Sequence, residues 1–306
     1  MVSFNPATDI PDLSGKVIFV TGGNAGLGKE AARQLAKHNP SKIIIGSRDR
    51  SKGLAAIESM TDIVSNTTFQ LIQMDLASLN SVHAAAKLYM STNTRLDILM
   101  NNAGIMAVPP ALTVDGYEIQ FGTNHLGHAL LTKLFLPLML ATAEKPGSDV
   151  RIINLTSDSH KRAPVEGIQF DNLRSPDQLS TALTRYGQSK LANILYAKEL
   201  AKRHPSIKVM AVHPGVMKTD LQVTMRKSFL LARLLAPVLN YFVGVEVGEG
   251  AHNQLWAATS KNAQSGELYY PVGQSVEGTE LARHVDLAAE LWEWTEKIFS
   301  GSEYKL

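Results

Sequence analysis

The chain contains no cysteine. Disulfides, thiol nucleophiles, iron–sulfur clusters and thiolate zinc sites are thereby excluded. It also lacks a surplus of either charge. Thirty Lys and Arg stand against 28 Asp and Glu, a net of +2 with histidine neutral, so no global field draws the protein to a phosphate backbone or an anionic lipid surface. Nucleic acid is not an expected partner. Long hydrophobic runs are missing too. The most apolar stretch, FLLARLLAPVLNYFVGV over 229–245, is interrupted by Arg233, Pro237 and Asn240 and falls short of the ~20 residues that a membrane span needs. The opening MVSFNPATDIPDLSG has neither the basic nor the apolar region of a secretory signal, and the tail SEYKL departs from the SKL peroxisomal address, so the expected location is the cytoplasm. No Pro/Ser-rich linker, charge block or internal repeat divides residues 1–306, which predicts one domain.

What is present is an alternation. The runs KVIFVT (16–21), KIIIGS (42–47), TFQLIQMD (68–75), LDILMNNAG (96–104), VRIINLTS (150–157) and IKVMAVHPG (207–215) are apolar on successive residues, as strands covered on both faces should be. Helical segments separate them, at 27–38, 78–90, 123–143 and 184–203. Strand and helix in alternation predict an α/β fold, a doubly wound parallel sheet of the Rossmann-like kind. A seventh strand is expected at 267–273. A final helix follows near 279–299, its Trp292, Trp294 and Phe299 read as a core-facing stripe.

The first strand runs into Thr21-Gly22-Gly23-Asn24-Ala25-Gly26-Leu27-Gly28, followed by a helix. Glycines let the backbone approach a pyrophosphate, and a helix N-terminus offers it free N–H groups and partial positive charge. The G-x3-G-x-G spacing differs from the general dinucleotide fingerprint, but its place after the first strand is where a doubly wound sheet binds a nucleotide. At the end of the second strand an NAD site would carry an acid for the ribose hydroxyl. Arg48 stands there instead, and its fork of donors suits a 2′-phosphate, which favours NADP(H). Lys52 either adds a second positive charge or is a solvated surface residue.

In Tyr186-Gly187-Gln188-Ser189-Lys190 the i,i+4 spacing puts a phenol and an ammonium on one helix face. A free phenol has a pKa near ~10 and needs nearby positive charge to act as an acid/base at neutral pH. Lys190, with an oxidised nicotinamide, is expected to supply it. Ser157 ends the fifth strand, Asn102-Ala103-Gly104 the fourth, and Pro214-Gly215-Val216 with Thr219 the sixth, so several strand ends converge on one crevice. His125 and His128 stand at i,i+3, but no cluster with ligand spacing accompanies them and no metal is expected. The sequon Asn154-Leu-Thr156 falls in a buried strand and is not expected to carry sugar.

Taken in order, the glycine loop Thr21 to Gly28, Asn101-Asn102-Ala103-Gly104, Asn124, Ser157, Tyr186-x-x-x-Lys190 and Pro214-Gly215 resemble a classical short-chain dehydrogenase/reductase over nearly the whole chain. Arg48 with Gly53, Asn124-His-Leu-Gly-His128, Ser189-Lys190-Leu-Ala-Asn193 and His213-Pro-Gly-Val216 resemble its retinol-dehydrogenase-like branch, which includes fungal members that tailor secondary metabolites. The resemblance implies that Tyr186 is the general acid/base. Lys190 would lower its pKa and hold the nicotinamide ribose, Ser157 would orient the substrate oxygen, and Asn124 would complete a proton relay through water. It implies a dinucleotide site lined by Gly22, Asn24, Gly26, Leu27, Gly28, Arg48, Asp75, Asn102, Ala103, Gly104, Val216 and Thr219, with Asp75 at the adenine. The expected reaction interconverts a carbonyl and an alcohol on a lipophilic small molecule, such as a polyketide, terpenoid or steroid-like ketone. An isomerase or dehydratase that retains its cofactor, and an NADP(H)-sensing binding protein, are the alternatives.

Two departures bear on the substrate. The interval between Ser157 and Tyr186 is long, so 158–185 is expected to form a loop near the substrate. Relatives that process retinol generally begin with a membrane anchor, which this sequence does not show. The segment after the sixth strand, about 217–245, is expected to be a lid over an apolar substrate, with docking to a membrane as the alternative. Family members commonly pair through the two long helices that here hold Asn124 and Tyr186, which implies a homodimer.

Overall fold

A computed structural model describes residues 2–62, 64, 66–175, 181–215, 247–301 and 304. Val216, Thr219 and the expected lid at 217–245 lie outside the described residues.

Eight strands form one sheet in the order β3-β2-β1-β4-β5-β6-β7-β8. They are β1 Val17–Thr21, β2 Lys42–Ser47, β3 Thr68–Gln73, β4 Ile98–Asn101, β5 Arg151–Leu155, β6 Lys208–Val212, β7 Leu268–Tyr269 and β8 Ser275–Val276. Every pairing from β3 across to β7 is parallel. The run VIFVT of β1 is buried at all five positions because helices cover both faces of a parallel sheet, whereas the edge strand β3 mixes Thr68, Gln70 and Gln73 with apolar residues and buries only Ile72. β8 departs from the expected all-parallel sheet. It pairs antiparallel with β7 by a short hairpin, and two residues are too few for a periodic signal.

The helices that matter for the site are α1 Gly26–Ala36, α2 Arg50–Thr61, α3 Leu79–Thr92, α4 Ile119–Ala143, α5 Ala182–Arg203, α6 His252–Thr259 and α7 Val285–Ile298. One apolar core, with Phe19, Tyr89, Phe135, Leu195 and Leu291, lies on the side of the sheet that α3, α4, α5 and α7 cover. The second, with Ile18, Ile45, Leu35, Met100 and Trp256, lies beneath α1, α2 and α6. Between the Ser157 and Tyr186 positions the described chain makes two short 3-10 turns, Asp158–Arg162 and Phe170–Asn172.

Two long helices depart from ordinary amphipathic patterning. α5 is buried from Arg185 through Ala197, and in α4 only Pro137 and Ala141 are exposed. α4 is apolar and long enough to cross a membrane, yet 61% of its most apolar window is buried inside the protein, as suits a core helix. The cover comes from the chain's own α7. Trp292 stacks on Tyr196 with ring centroids 5.3 Å apart, Trp294 meets Phe121 edge-on, Lys133 pairs with Glu296, and Arg203 lies over Trp292 and bonds Glu293 at 3.2 Å. The expected aromatic stripe is therefore a packing face. The expected final helix at 279–299 is broken at His284, whose Nδ1 accepts from Leu287 N and caps α7.

Candidate active site

The order of the sheet reverses between β1 and β4, and a cleft opens at the carboxyl ends of those strands. Its volume is about 440 Å³, and it runs from Arg48 and Lys52 at one end to Tyr186 and Lys190 at the other.

The glycine loop is shaped by close approaches. Gly22 has a φ of +67°, and a Cβ there would lie 3.0 Å from the Ala103 Cβ. At Gly28 a Cβ would fall 2.4 Å from Asn102 Nδ2 and 2.6 Å from Gly22 O, so only glycine lets α1 start against the end of β4. Around Gly26 the Cβ direction is empty, and α1 begins there with no side-chain cap. Its first-turn N–H groups are thus available to an anion beside Ala25, Gly26 and Leu27 in the cleft wall. Thr21 fixes the loop to β4. Its hydroxyl accepts from Asn102 N at 2.9 Å and Ala103 N at 3.0 Å, while Asn102 Nδ2 donates to Thr21 O at 2.8 Å.

At the far end Arg48 is exposed beside the cleft. Next to it Asp49 caps α2, accepting from Lys52 N at 3.0 Å and Ser51 Oγ at 2.7 Å. Those bonds, Ser51 first, hold its carboxyl below the usual range. Asp75, after β3, lines the cleft and accepts from Ala77 N at 2.9 Å.

The opposite end is made of buried side chains. Ser157, just past β5, stands close enough to the Tyr186 phenol to draw its pKa down, and caps the turn Asp158–Arg162 through Ser159 N. Lys190 Nζ lies 5.5 Å from the Tyr186 ring centroid and donates to Leu155 O at 3.1 Å. Asn124 sits in a widened turn of α4, Gly122–Leu126. Its Oδ1 accepts from Ile105 N at 2.8 Å, and its Nδ2 donates to Ile105 O at 2.9 Å and Ser189 Oγ at 3.0 Å. Gly104 separates the two groups: a Cβ there would lie 3.2 Å from Asn124 Oδ1 and 3.5 Å from Lys190 Nζ. Burial sets the protonation states. It pushes the Tyr186 phenol up to about 12, with nearby Ser157 pulling the other way, and the Lys190 ammonium down to about 8. The expected lowering of the phenol by Lys190 is not seen in the protein alone. The desolvation of a phenolate outweighs everything around it, and the ammonium is turned to Leu155 O.

The short chain dehydrogenase family model matches residues 16–169, half of the chain. This chain belongs to the short-chain dehydrogenase/reductase family. The oxidoreductase is 39% identical over 303 residues to the short-chain dehydrogenase/reductase drtF of Aspergillus calidoustus, covering 94% of this chain and 95% of that one. Mouse retinol dehydrogenase 12 is 34% identical over 287 residues, covering 92% and 85%. Among solved structures, an uncharacterized protein of Mycobacterium paratuberculosis superimposes with a TM-score of 0.76 at 31% identity, covering 97% of both chains.

In this member of the family the expected cofactor residues Gly22, Asn24, Gly26, Leu27, Arg48, Asp75, Asn102, Ala103 and Gly104 line one cleft together with Tyr186 and Lys190. Gly28, Asn124 and Ser157 stand behind that surface, packed against residues that form it. His125 and His128 are buried in α4, and the described residues hold no group of three metal-ligating side chains. Four contributors were not singled out from the sequence. Asp49, followed by a helix, carries a recognisable capping signal. Gly187 lets α5 approach the turn after Ser157, since a Cβ there would meet Ser159 O at 2.5 Å. Arg185 and Glu118 form a buried pair at 3.2 Å; Arg185 also donates to Val108 O, and Glu118 accepts from Phe121 N at 2.7 Å, capping α4. Nothing local in the sequence marks that pair, because its members are joined only by the fold.

Proposed function

We propose that this protein is an NADP(H)-dependent oxidoreductase that interconverts a carbonyl and an alcohol on a lipophilic small molecule, with Tyr186 as the general acid/base. The observation that carries the reading is the gathering of Ser157, Tyr186, Lys190 and Asn124 at one end of a cleft whose other end presents Arg48. The glycine loop fits a dinucleotide: Gly26 leaves open space at an uncapped helix start, where a pyrophosphate would sit. Arg48 and Lys52 would face a 2′-phosphate, and Asp75 the adenine edge. Gly104, Tyr186 and Lys190 would bound the nicotinamide riboside. When bound, the nicotinamide supplies a hydride to the carbonyl carbon or accepts one from the alcohol.

The residues of the chain handle the oxygen and its proton. Ser157 holds the carbonyl oxygen through its hydroxyl beside the phenol, and Tyr186 gives that oxygen a proton as negative charge develops on it. A phenol pushed up to about 12 is fully protonated at neutral pH, the state that a carbonyl reductase starts from. The phenolate left behind gains the Lys190 ammonium as its counter-charge and regains a proton along Lys190 and Asn124. Similarity to a retinol dehydrogenase, whose named substrate is an apolar alcohol, supports the lipophilic class.

The test is NADPH consumption against a panel of apolar ketones, aldehydes and quinones, with Tyr186→Phe in parallel. Turnover by the wild type that falls about a thousandfold in the variant, with NADPH binding retained in both, is the expected result. Activity that survives in Tyr186→Phe refutes the mechanism. Product formed with no net NADPH turnover selects the isomerase reading instead.

A further inference from the structure

His128 is 3% exposed, on the α4 turn after Asn124, and no role above uses it. Its two ring nitrogens point at opposite halves of the site. Nδ1 is 2.9 Å from the backbone oxygen of Asn124, and Nε2 is 2.9 Å from the Thr21 hydroxyl. The proton positions follow from the partners. A carbonyl oxygen can only accept, so Nδ1 carries the hydrogen. The Thr21 hydroxyl already accepts from Asn102 N and Ala103 N, which uses both of its lone pairs, so it must donate. Its possible acceptors are Met100 O at 3.4 Å and His128 Nε2 at 2.9 Å, and the shorter contact requires Nε2 to be bare. The two ends give the same answer: a neutral imidazole in the Nδ1–H form. A protonated ring would turn a second hydrogen toward a hydroxyl with no lone pair left.

We infer that His128 is a positioning residue, a rigid strut that fixes the glycine loop and the Asn102–Ala103 backbone, through Thr21, to the backbone carbonyl of Asn124. The inference rests on the oxidoreductase reading above and extends it. Thr21 sets where the dinucleotide loop meets β4, and Asn124 anchors Ile105 and Ser189 beside Lys190. A flat ring with nitrogens on its two sides pins each group from its own edge, Thr21 from Nε2 on the cofactor side and the Asn124 carbonyl from Nδ1 on the proton-handling side. Burial of the ring, helped by the Lys190 charge, keeps it neutral and agrees with this assignment.

Two measurements test it. The first needs no substrate: nitrogen NMR of protein labelled at the histidine rings, with the His128 signals identified by their loss in His128→Gln. The expected spectrum has a bare Nε2 and a protonated Nδ1; an Nε2–H form overturns the inference. The second separates the two ends of the strut. In His128→Asn the amide can still donate to Asn124 O but does not reach Thr21, and in His128→Gln it reaches Thr21 and not Asn124 O. NADPH affinity, read by fluorescence titration, is expected to fall about tenfold in His128→Asn and to stay within about twofold in His128→Gln. For the panel ketone turned over fastest, kcat at saturating NADPH should fall about tenfold in His128→Gln and only about two- to threefold in His128→Asn. Folded variants that lose thermal stability while both readouts stay at the wild-type value show a packing residue only and overturn the inference. Parallel losses of affinity and kcat in both variants also overturn it, as a general loosening. If the wild type turns over nothing, the carbonyl-reductase reading fails by itself, and the spectrum with the NADPH titration still decides the place of His128.

Discussion

The two ends of the cleft are built on opposite plans. The dinucleotide end is backbone and exposed side chains: glycines at a turn, an uncapped helix start, and Arg48 and Lys52 out in solvent. The chemical end is side chains drawn out of water, with Asn124 at 0%, Lys190 at 4% and Tyr186 at 5% exposure. An exposed donor on backbone scaffolding binds a charged ligand without disturbing the core. A buried phenol and ammonium have their protonation set by desolvation, so every neighbour counts. Changes at the chemical end should therefore cost more, and in different quantities, than changes at the other.

The sharpest contrast should come from Lys190→Met, which keeps the length of the side chain and removes its charge. We expect kcat to fall about 10²–10³-fold with the fold intact, read by steady-state NADPH oxidation. A loss no larger than that at Arg48 would break the comparison. Acid comes next. Burial holds His125 down to about 3 and His128 and His213 down to about 4, so each is neutral when folded and takes a proton near ~6.5 when unfolded. The unfolded chain then binds more protons below that value. Stability is fully present above about pH 6.5 and falls as pH drops toward the folded values. Three such groups predict a loss of roughly 3–4 kcal/mol between about pH 7 and 5.5, measured by urea titration. Flat stability across that window would show that the chemical end is wetter than its geometry.

Smaller effects belong to the dinucleotide end. Arg48→Ala should weaken NADPH binding about tenfold and leave NADH within about twofold, since one charge-assisted fork is removed from a solvated site. Equal losses for both nucleotides would move Arg48 from phosphate selection to general attraction. Least of all, for the stability of the protein without cofactor, is Gly26→Ala, where φ is +52° but nothing lies within 4 Å of the added carbon. It should cost about 1 kcal/mol of stability by thermal melt, far less than the same change at Gly28, where backbone would have to move.

The same contrast governs what could be read from residue order. Glycines before a helix, an arginine at the end of β2, and Tyr186 with Lys190 one turn apart are local patterns, because backbone approach and helix spacing demand particular residue types at fixed offsets. The fold followed from runs of successive apolar residues, and seven strands, β1 to β7, lie within the expected stretches. What stayed hidden joins positions far apart: Thr21 with His128, Arg185 with Glu118, and Asn101 Nδ2 with Asn154 Oδ1, bonded at 2.8 Å across neighbouring strands. A buried polar residue read alone gives no hint of its partner. The titration of the phenol was out of reach for a different reason. Lysine spacing was legible, but the energy of desolvation depends on a whole enclosure, and that exists only after folding.

The cover that α7 provides has a consequence in time as well as in space. Both site-bearing helices, α4 and α5, are synthesised well before the segment whose Trp292 and Trp294 close over Tyr196 and Phe121. While the ribosome is still extending the chain, that aromatic seam faces solvent on a nearly complete domain, the condition under which nascent chains aggregate or are held by chaperones. The packing of α4 and α5 is therefore finished only once α7 has emerged from the ribosome and folded back onto them.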